Sequence, residues 1–419
     1  MPVQYPLRAV KGLLAAALTL LLGTSASAAY TIKTLYDFCG VANCTNGEEP
    51  EGALLRDASG NIYGTVSDGA GPEGGGGVYE LTPNGDTWTE QILYALCTAS
   101  ACPYGSAPTS GVIMDTAGDL YGTTTFQGIN DGGTVFELIP NKSKTKWKAK
   151  LLFAFCSDGT CADGRIPNAL TYAGQASGAP YDGTSPLYGT TFEGGANDGG
   201  VAFMLVPPAP GKKKWKEKTI HDFCSPNTVD NCTDDGAVPQ AGMIIDDAGN
   251  LYGTTKAAGL NRAGAVFELK PKRNSWTEKV LYNFCSQPSC ADGGGSTSPL
   301  LMDAQGNLLG SAGNVFKLDP KTLEYTVLHA GGDGTEWTLV MNAQGYLYAA
   351  SFSGGANMRG SVWALDPNYE VLYNFCPLTG CKDGAMASSP PLLDGAGDLI
   401  GTTLEFGQHG AGNVYELTP

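Results

Sequence analysis

The sequence predicts an all-β fold: a seven-bladed β-propeller of four-stranded blades, closed by pairing of the N-terminal strand with the C-terminal blade. Three observations carry this. One repeat recurs seven times, each copy holds four short apolar runs separated by turn residues, and the two chain ends supply different strands of one copy. After Ala29 no segment has the pattern of a long amphipathic helix, whereas Gly is abundant, with 59 residues, as turn-rich β-structure requires.

Residues 1–28 read as a secretory leader. Arg8 and Lys11 precede the apolar run Leu13–Leu22, and Ala26 and Ala28 form a small-residue cleavage site before Ala29. The run is too short to span a bilayer and no second one follows, so no membrane span is expected in the mature chain. Residues 29–419 read as a single propeller domain, whose length is acceptable because each repeat adds its own local core. The expected location is outside the cell or in the periplasm.

The clearest copy runs from Trp276 to Leu318. Strand one is the apolar run Pro299–Met302, and Asp303 to Asn307 form a tight turn, where Asp bonds the backbone and Gly tolerates left-handed angles. Strand two carries the Tyr-Gly-Thr segment seen at Tyr63, Tyr121, Tyr188 and Tyr252, with weaker copies at Leu309, Tyr348 and Ile400. Its glycine is expected to leave room for neighbouring backbones near the axis. A glycine-rich loop such as Gly194–Gly200 follows, then strand three, as in Val266-Phe267-Glu268-Leu269, then strand four, Trp276–Phe284. Adjacent apolar residues such as Val-Phe fit strands buried on both faces. The third copy replaces its first turn with a longer hairpin, Ala173–Pro186. At the ends, Thr31–Phe38 matches strand four and Val414–Leu417 matches strand three, so the N-terminus completes the last blade and removes two sheet edges.

Leu120-Tyr121-Gly122-Thr123-Thr124 leading to Gly133-Thr134-Val135-Phe136-Glu137-Leu138, and Leu251-Tyr252-Gly253-Thr254-Thr255 leading to Gly264-Ala265-Val266-Phe267-Glu268-Leu269, are the pattern of a known repeat. Through it the chain resembles the bacterial GloVer (Gloeobacter/Verrucomicrobia-type) tandem-repeat proteins over nearly all of its mature length. The resemblance implies export and a propeller-like array, and no particular reaction. Many such proteins end in a surface-sorting tail; this chain ends in Glu416-Leu417-Thr418-Pro419 without one.

Twelve cysteines fall in six local pairs: Cys39/Cys44, Cys97/Cys102, Cys156/Cys161, Cys224/Cys232, Cys285/Cys290 and Cys376/Cys381. An even count in an exported chain points to disulfides, and pairing within each loop is the economical connectivity, although the sequence leaves others open. Thiolate metal sites need four converging ligands, and the chain has three histidines. His221 and His329 stand where Tyr282 stands in its own copy, and His409 lies in a glycine-rich loop, so no metal and no cofactor is expected.

Strand alternation puts the cysteine loops and the glycine-rich loops on one face of the disc, the expected functional face. There Asp163, Asp235, Asp292, Asp333 and Asp383 each precede a Gly. They are candidate ligand-binding residues for a cation or a hydroxylated ligand, against the plainer reading that Asp-Gly makes a turn. Glu336-Trp337, which departs from the repeat, is a further candidate, an aromatic beside a carboxylate that could stack on and bond a sugar or peptide. Two lysine clusters flank Trp147 and Trp215: Lys142, Lys144, Lys146 and Lys148, then Lys212, Lys213, Lys214, Lys216 and Lys218. In a chain of net charge −16 they read as solvated guards of edge strands, and no nucleic-acid partner is expected. The functional expectation is a secreted binding or interaction module for an extracellular ligand, carbohydrate or peptide. The alternatives are a propeller lyase or glycan-active hydrolase working in the central opening, and a purely structural envelope protein. No catalytic residue stands out, since no copy offers a paired acid and base.

Overall fold

A computed structural model describes residues 30–98, 102–224, 229, 232–233, 235–331, 337–366, 368–377 and 380–419. Seven antiparallel sheets form the blades of a closed ring. The first blade comprises Glu48–Arg56, Ile62–Asp68, Gly77–Asn84 and Thr87–Ala95, hydrogen-bonded in that order. The last is completed by the chain's start. Thr31–Asp37 pairs antiparallel with Asn413–Thr418, Thr34 facing Tyr415 and Tyr36 facing Val414. A buried cluster containing Leu35, Phe38, Ile62, Tyr79 and Val414 joins the first and last blades. No helix among the described residues is long and apolar enough to cross a membrane.

The core lies between blades, and the repeat's aromatics build it. The phenylalanine before five of the six cysteine loops meets the strand-three aromatic of the next blade edge-on, Leu96 standing in its place before Cys97. The pairs are Phe38 with Tyr79, Phe155 with Phe203, Phe223 with Phe267, Phe284 with Phe316 and Phe375 with Tyr415, at centroid distances of 5.0 to 5.6 Å. All ten rings are at most 1 % exposed, an arrangement in which edge-to-face geometry adds to the area buried.

The strand-two glycine serves these rings rather than backbone crowding at the axis, which corrects the expectation above. Gly122, Gly189 and Gly253 sit directly opposite Phe136, Phe203 and Phe267 in the ladder. A Cβ there would lie 2.5 to 2.6 Å from the ring. The aromatic lies across its own neighbouring strand, and a residue without a side chain leaves it space in these blades. In the sixth blade the pair is Ala349 opposite Trp363.

Strand one also differs from the sequence reading. The apolar run contributes only short pairings, such as Leu301–Met302 with Leu308 and Leu309. In the third and seventh blades a separate upper segment, Arg165–Pro167 or Ala385–Ala387, pairs further along strand two. The hairpin of the third copy reaches back to the second blade: Tyr181 donates its N–H to the Met114 carbonyl, and its buried ring packs on Tyr121. The lysine clusters lie on exposed turns and on the outermost strand, as an edge guard requires.

Candidate functional site

The face carrying the cysteine loops is held together from three directions. First, each cysteine pair closes its own loop: Cys39–Cys44, Cys97–Cys102, Cys156–Cys161, Cys224–Cys232, Cys285–Cys290 and Cys376–Cys381 are disulfides. Second, the glycine-rich loops dock on them. Ala70, Gly128, Gly195 and Gly407 donate backbone N–H groups to the carbonyls of Cys44, Cys102, Cys161 and Cys381 at 2.9 to 3.2 Å.

Third, the aspartates brace the loops. Asp292 accepts bonds from Tyr282 Oη (2.6 Å), Ser286 N (2.7 Å) and Gln287 N (3.0 Å), and is fully buried. Burial alone would push its carboxyl up, but these donors together hold it below the usual range. Asp383 accepts from Tyr373 Oη and Cys376 N, both at 2.9 Å. Asp235 accepts from Cys224 N at 3.1 Å and pairs with His221 Nε2 at 2.8 Å. Asp163 accepts from Ser157 N at 3.0 Å. Each stands at a different blade junction, bonded to its own loop, and the four do not converge. Asp333, Glu336 and the side chain of Trp337 lie outside the described residues. The histidines fit their tyrosine-like positions, since His221 and His329 face Ala202 and Val315 in the register where Tyr282 faces Val266. His409 is exposed.

Inward from each loop the chain turns toward the axis. The turn is made by a residue with positive φ immediately before the proline position: Glu49, Ala107, Ile166, Val238, Gly295 and Met386, at 52° to 67°. A β-branched residue such as Ile166 or Val238 adopts this conformation only when its surroundings impose it. The imposing contact is a bond to the preceding blade. The six N–H groups donate to the carbonyls of Ala411, Gly75, Gly132, Gly199, Ala263 and Arg359 at 2.8 to 3.0 Å. The proline then packs on a glycine of that blade. A Cβ on Gly76, Gly133, Gly200 or Gly412 would meet Cδ of Pro108, Pro167, Pro239 or Pro50 within 2.7 to 2.9 Å.

The next residue reaches the axis. Glu51, Thr109, Asn168, Gln240, Thr297 and Ser388 form a polar collar around a cavity of about 470 Å³, to which all seven blades contribute. Phe126, Phe192 and Phe352, at the ends of second strands, line the same cavity. Part of the collar is tied down: Asn168 Nδ2 donates to the Pro239 carbonyl at 2.8 Å, and Ser388 Oγ to the Pro50 carbonyl at 3.0 Å. The Tyr-Gly-Thr threonines add ties across blades, Thr65 to the Ser110 carbonyl and Thr190 to the Ala241 carbonyl. The side chains of Glu51, Gln240 and Thr297 make no hydrogen bond among the described residues. Burial, reinforced by the Glu49 charge, pushes the Glu51 carboxyl up to about 7.

The collar escaped the sequence reading, although its signal is present. When the copies are aligned on the cysteine loop, the position after the proline is polar and variable, whereas its neighbours repeat.

The sequence matches the Gloeobacter/Verrucomicrobia repeat model twice, over residues 22–185 and 171–336. Similar solved structures include the extracellular domains of BT4673 and BT3049 from B. thetaiotaomicron, at 11% identity, with TM-scores of 0.54 and 0.52. The alignments cover 91% and 88% of this chain but only 39% and 40% of those chains, so this protein spans about two fifths of their length. At that identity the likeness is one of fold. No curated protein matches the sequence.

Proposed function

We propose that this chain, which belongs to the Gloeobacter/Verrucomicrobia repeat family, is an exported binding module that holds a hydroxylated ligand, a carbohydrate, in the axial funnel of its cysteine-loop face. The supporting observation is the collar itself. Glu51, Gln240 and Thr297 converge on one open cavity and make no side-chain hydrogen bond among the described residues. Amide and hydroxyl groups exchange hydrogen bonds with sugar hydroxyls, and the phenylalanines offer apolar surface to the C–H faces of a pyranose. The ties that fix Asn168 and Ser388 pre-organise the collar, which lowers the entropy lost on binding. Asp163, Asp235, Asp292 and Asp383 act in this reading by holding the loops around the funnel.

The leader-like residues 1–28 and the six disulfides support export, because local disulfides persist in oxidising compartments. The test is a glycan array followed by calorimetric titration of any hit. Phe192→Ala and Gln240→Ala should each weaken binding about ten-fold, the effect of losing roughly 1.4 kcal/mol, while leaving the melting temperature within a few degrees. Absence of binding to every glycan, or hits insensitive to both substitutions, would remove the funnel as the site.

A further inference from the structure

Within the funnel one described collar position departs from the others. Five hold neutral residues, Thr109, Asn168, Gln240, Thr297 and Ser388, and the sixth holds Glu51. Among the described residues that line the cavity Glu51 alone is ionisable, and none is Lys, Arg or His. Its carboxylate is half-buried and has no hydrogen-bond or ion-pair partner among the described residues. Other inward acids differ in surroundings: Glu137 meets Lys150 at 2.6 Å and Glu80 accepts from Tyr63 Oη at 2.7 Å, while Glu278, whose Oε1 is also buried without a partner, lies outside the funnel lining. An unmatched carboxylate in a partly desolvated cavity is costly, and the cost is recovered when a cation arrives.

We infer that the ligand carries a protonated amine, as on an amino sugar, and that Glu51 receives it at the collar while the neutral residues take the hydroxyls. This rests on the carbohydrate reading above and names the class of sugar. The aromatic part of the lining fits, since ring faces attract ammonium groups as well as C–H groups. The adjacent Glu49 adds negative potential without occupying the site, because its own Oε2 accepts from Ser67 Oγ at 3.2 Å. The net charge of −16 draws cationic ligands toward the protein in general, so the control must separate this long-range pull from local recognition.

The experiment titrates the purified protein by calorimetry at pH 7 with three tetrasaccharides: β-1,4-linked glucosamine, its fully N-acetylated counterpart, and the glucose analogue. The glucosamine tetramer should bind at least ten-fold more tightly than the other two. Glu51→Gln should abolish that preference, bringing the glucosamine tetramer to the affinity of the other two. Glu324→Gln, an exposed acid on the opposite face, should keep it. Equal affinity for all three sugars overturns the amine assignment and leaves the funnel reading standing. A preference that survives Glu51→Gln assigns it to net charge and likewise overturns it. If none of the three binds although the array yields other glycan hits, the amino-sugar inference fails alone; if nothing on the array binds, the funnel reading fails with it.

Discussion

The two faces of the disc are built from the same repeat, yet they treat polar residues in opposite ways. On the turn face each aspartate serves its own hairpin. Asp57, Asp246 and Asp303 each accept two backbone N–H groups from residues two and four positions on, and a side-chain N–H from Asn61, Asn250 or Asn307. The same residue types recur from blade to blade. On the cysteine-loop face the braces also recur, but the six described collar positions carry five residue types, and Glu51, Gln240 and Thr297 make no side-chain hydrogen bond among the described residues. A repeat keeps what folding needs constant and lets vary what only the axis sees. Function is therefore sought where a recurring scaffold presents non-recurring side chains.

The largest test removes the distinction by breaking both faces. Gly253→Val would drive a side chain into Phe267, and Phe267→Ala would empty the same junction. Costs of about 1–3 kcal/mol and 3–5 kcal/mol respectively are expected, read as lower midpoints in denaturant titration. A neutral result for Gly253→Val would mean that the ring does not lie across the glycine.

Next come the braces of the two faces. Asp292→Ala removes a buried carboxylate that ties the half-buried Tyr282 Oη to the backbone N–H groups of Ser286 and Gln287, at a cost of about 1–3 kcal/mol. Asp303→Ala frees donors that water can reach, so it should cost less in the same denaturation assay. Equal costs would erase the contrast between a buried brace and an exposed turn.

A smaller effect is expected from the staples. Replacing Cys156 and Cys161 together by Ser opens a loop of sequence separation 5, worth about 2 kcal/mol in the chain-entropy model. Limited proteolysis of that variant should cut first in the cysteine-loop face. Cleavage beginning at the turn face would show that the disulfides do not govern local opening.

pH separates buried acids from hydrogen-bonded ones. Burial pushes Glu51, Glu90, Glu217 and Glu278 up to about 7, from 4.5 in an unfolded chain. The folded state thus holds more protons between those values, and stability falls as pH rises through that window. Asp292 and Asp394, held below their usual range, act oppositely, and their contribution is lost only in stronger acid. The melting temperature should therefore peak near pH 5 and decline toward pH 8; a rise across that interval would contradict the burial of these acids. The smallest stability effect belongs to the collar. Gln240→Ala should change stability by less than about 0.5 kcal/mol, as for a side chain with no structural partner.

Blade number, strand order and ring closure by Thr31–Asp37 were readable in advance, because each depends on a period or a spacing along the chain, whereas local pairing of the cysteines was only the most economical of several connectivities. The aspartates were recognised as recurrent, but their destination was not, because a carboxylate before a glycine can turn the chain, face a ligand or brace a loop. Only the packed junction places Tyr282 Oη and two backbone N–H groups around Asp292. The collar shows the same division. The sequence supplies a polar residue after each proline, and the fold alone brings residues as distant in the chain as Glu51 and Ser388 to one axis, where backbone bonds between neighbouring blades aim them inward. Local pattern determines elements through short-range sterics, whereas a site drawn from all seven blades exists only after the ring has closed.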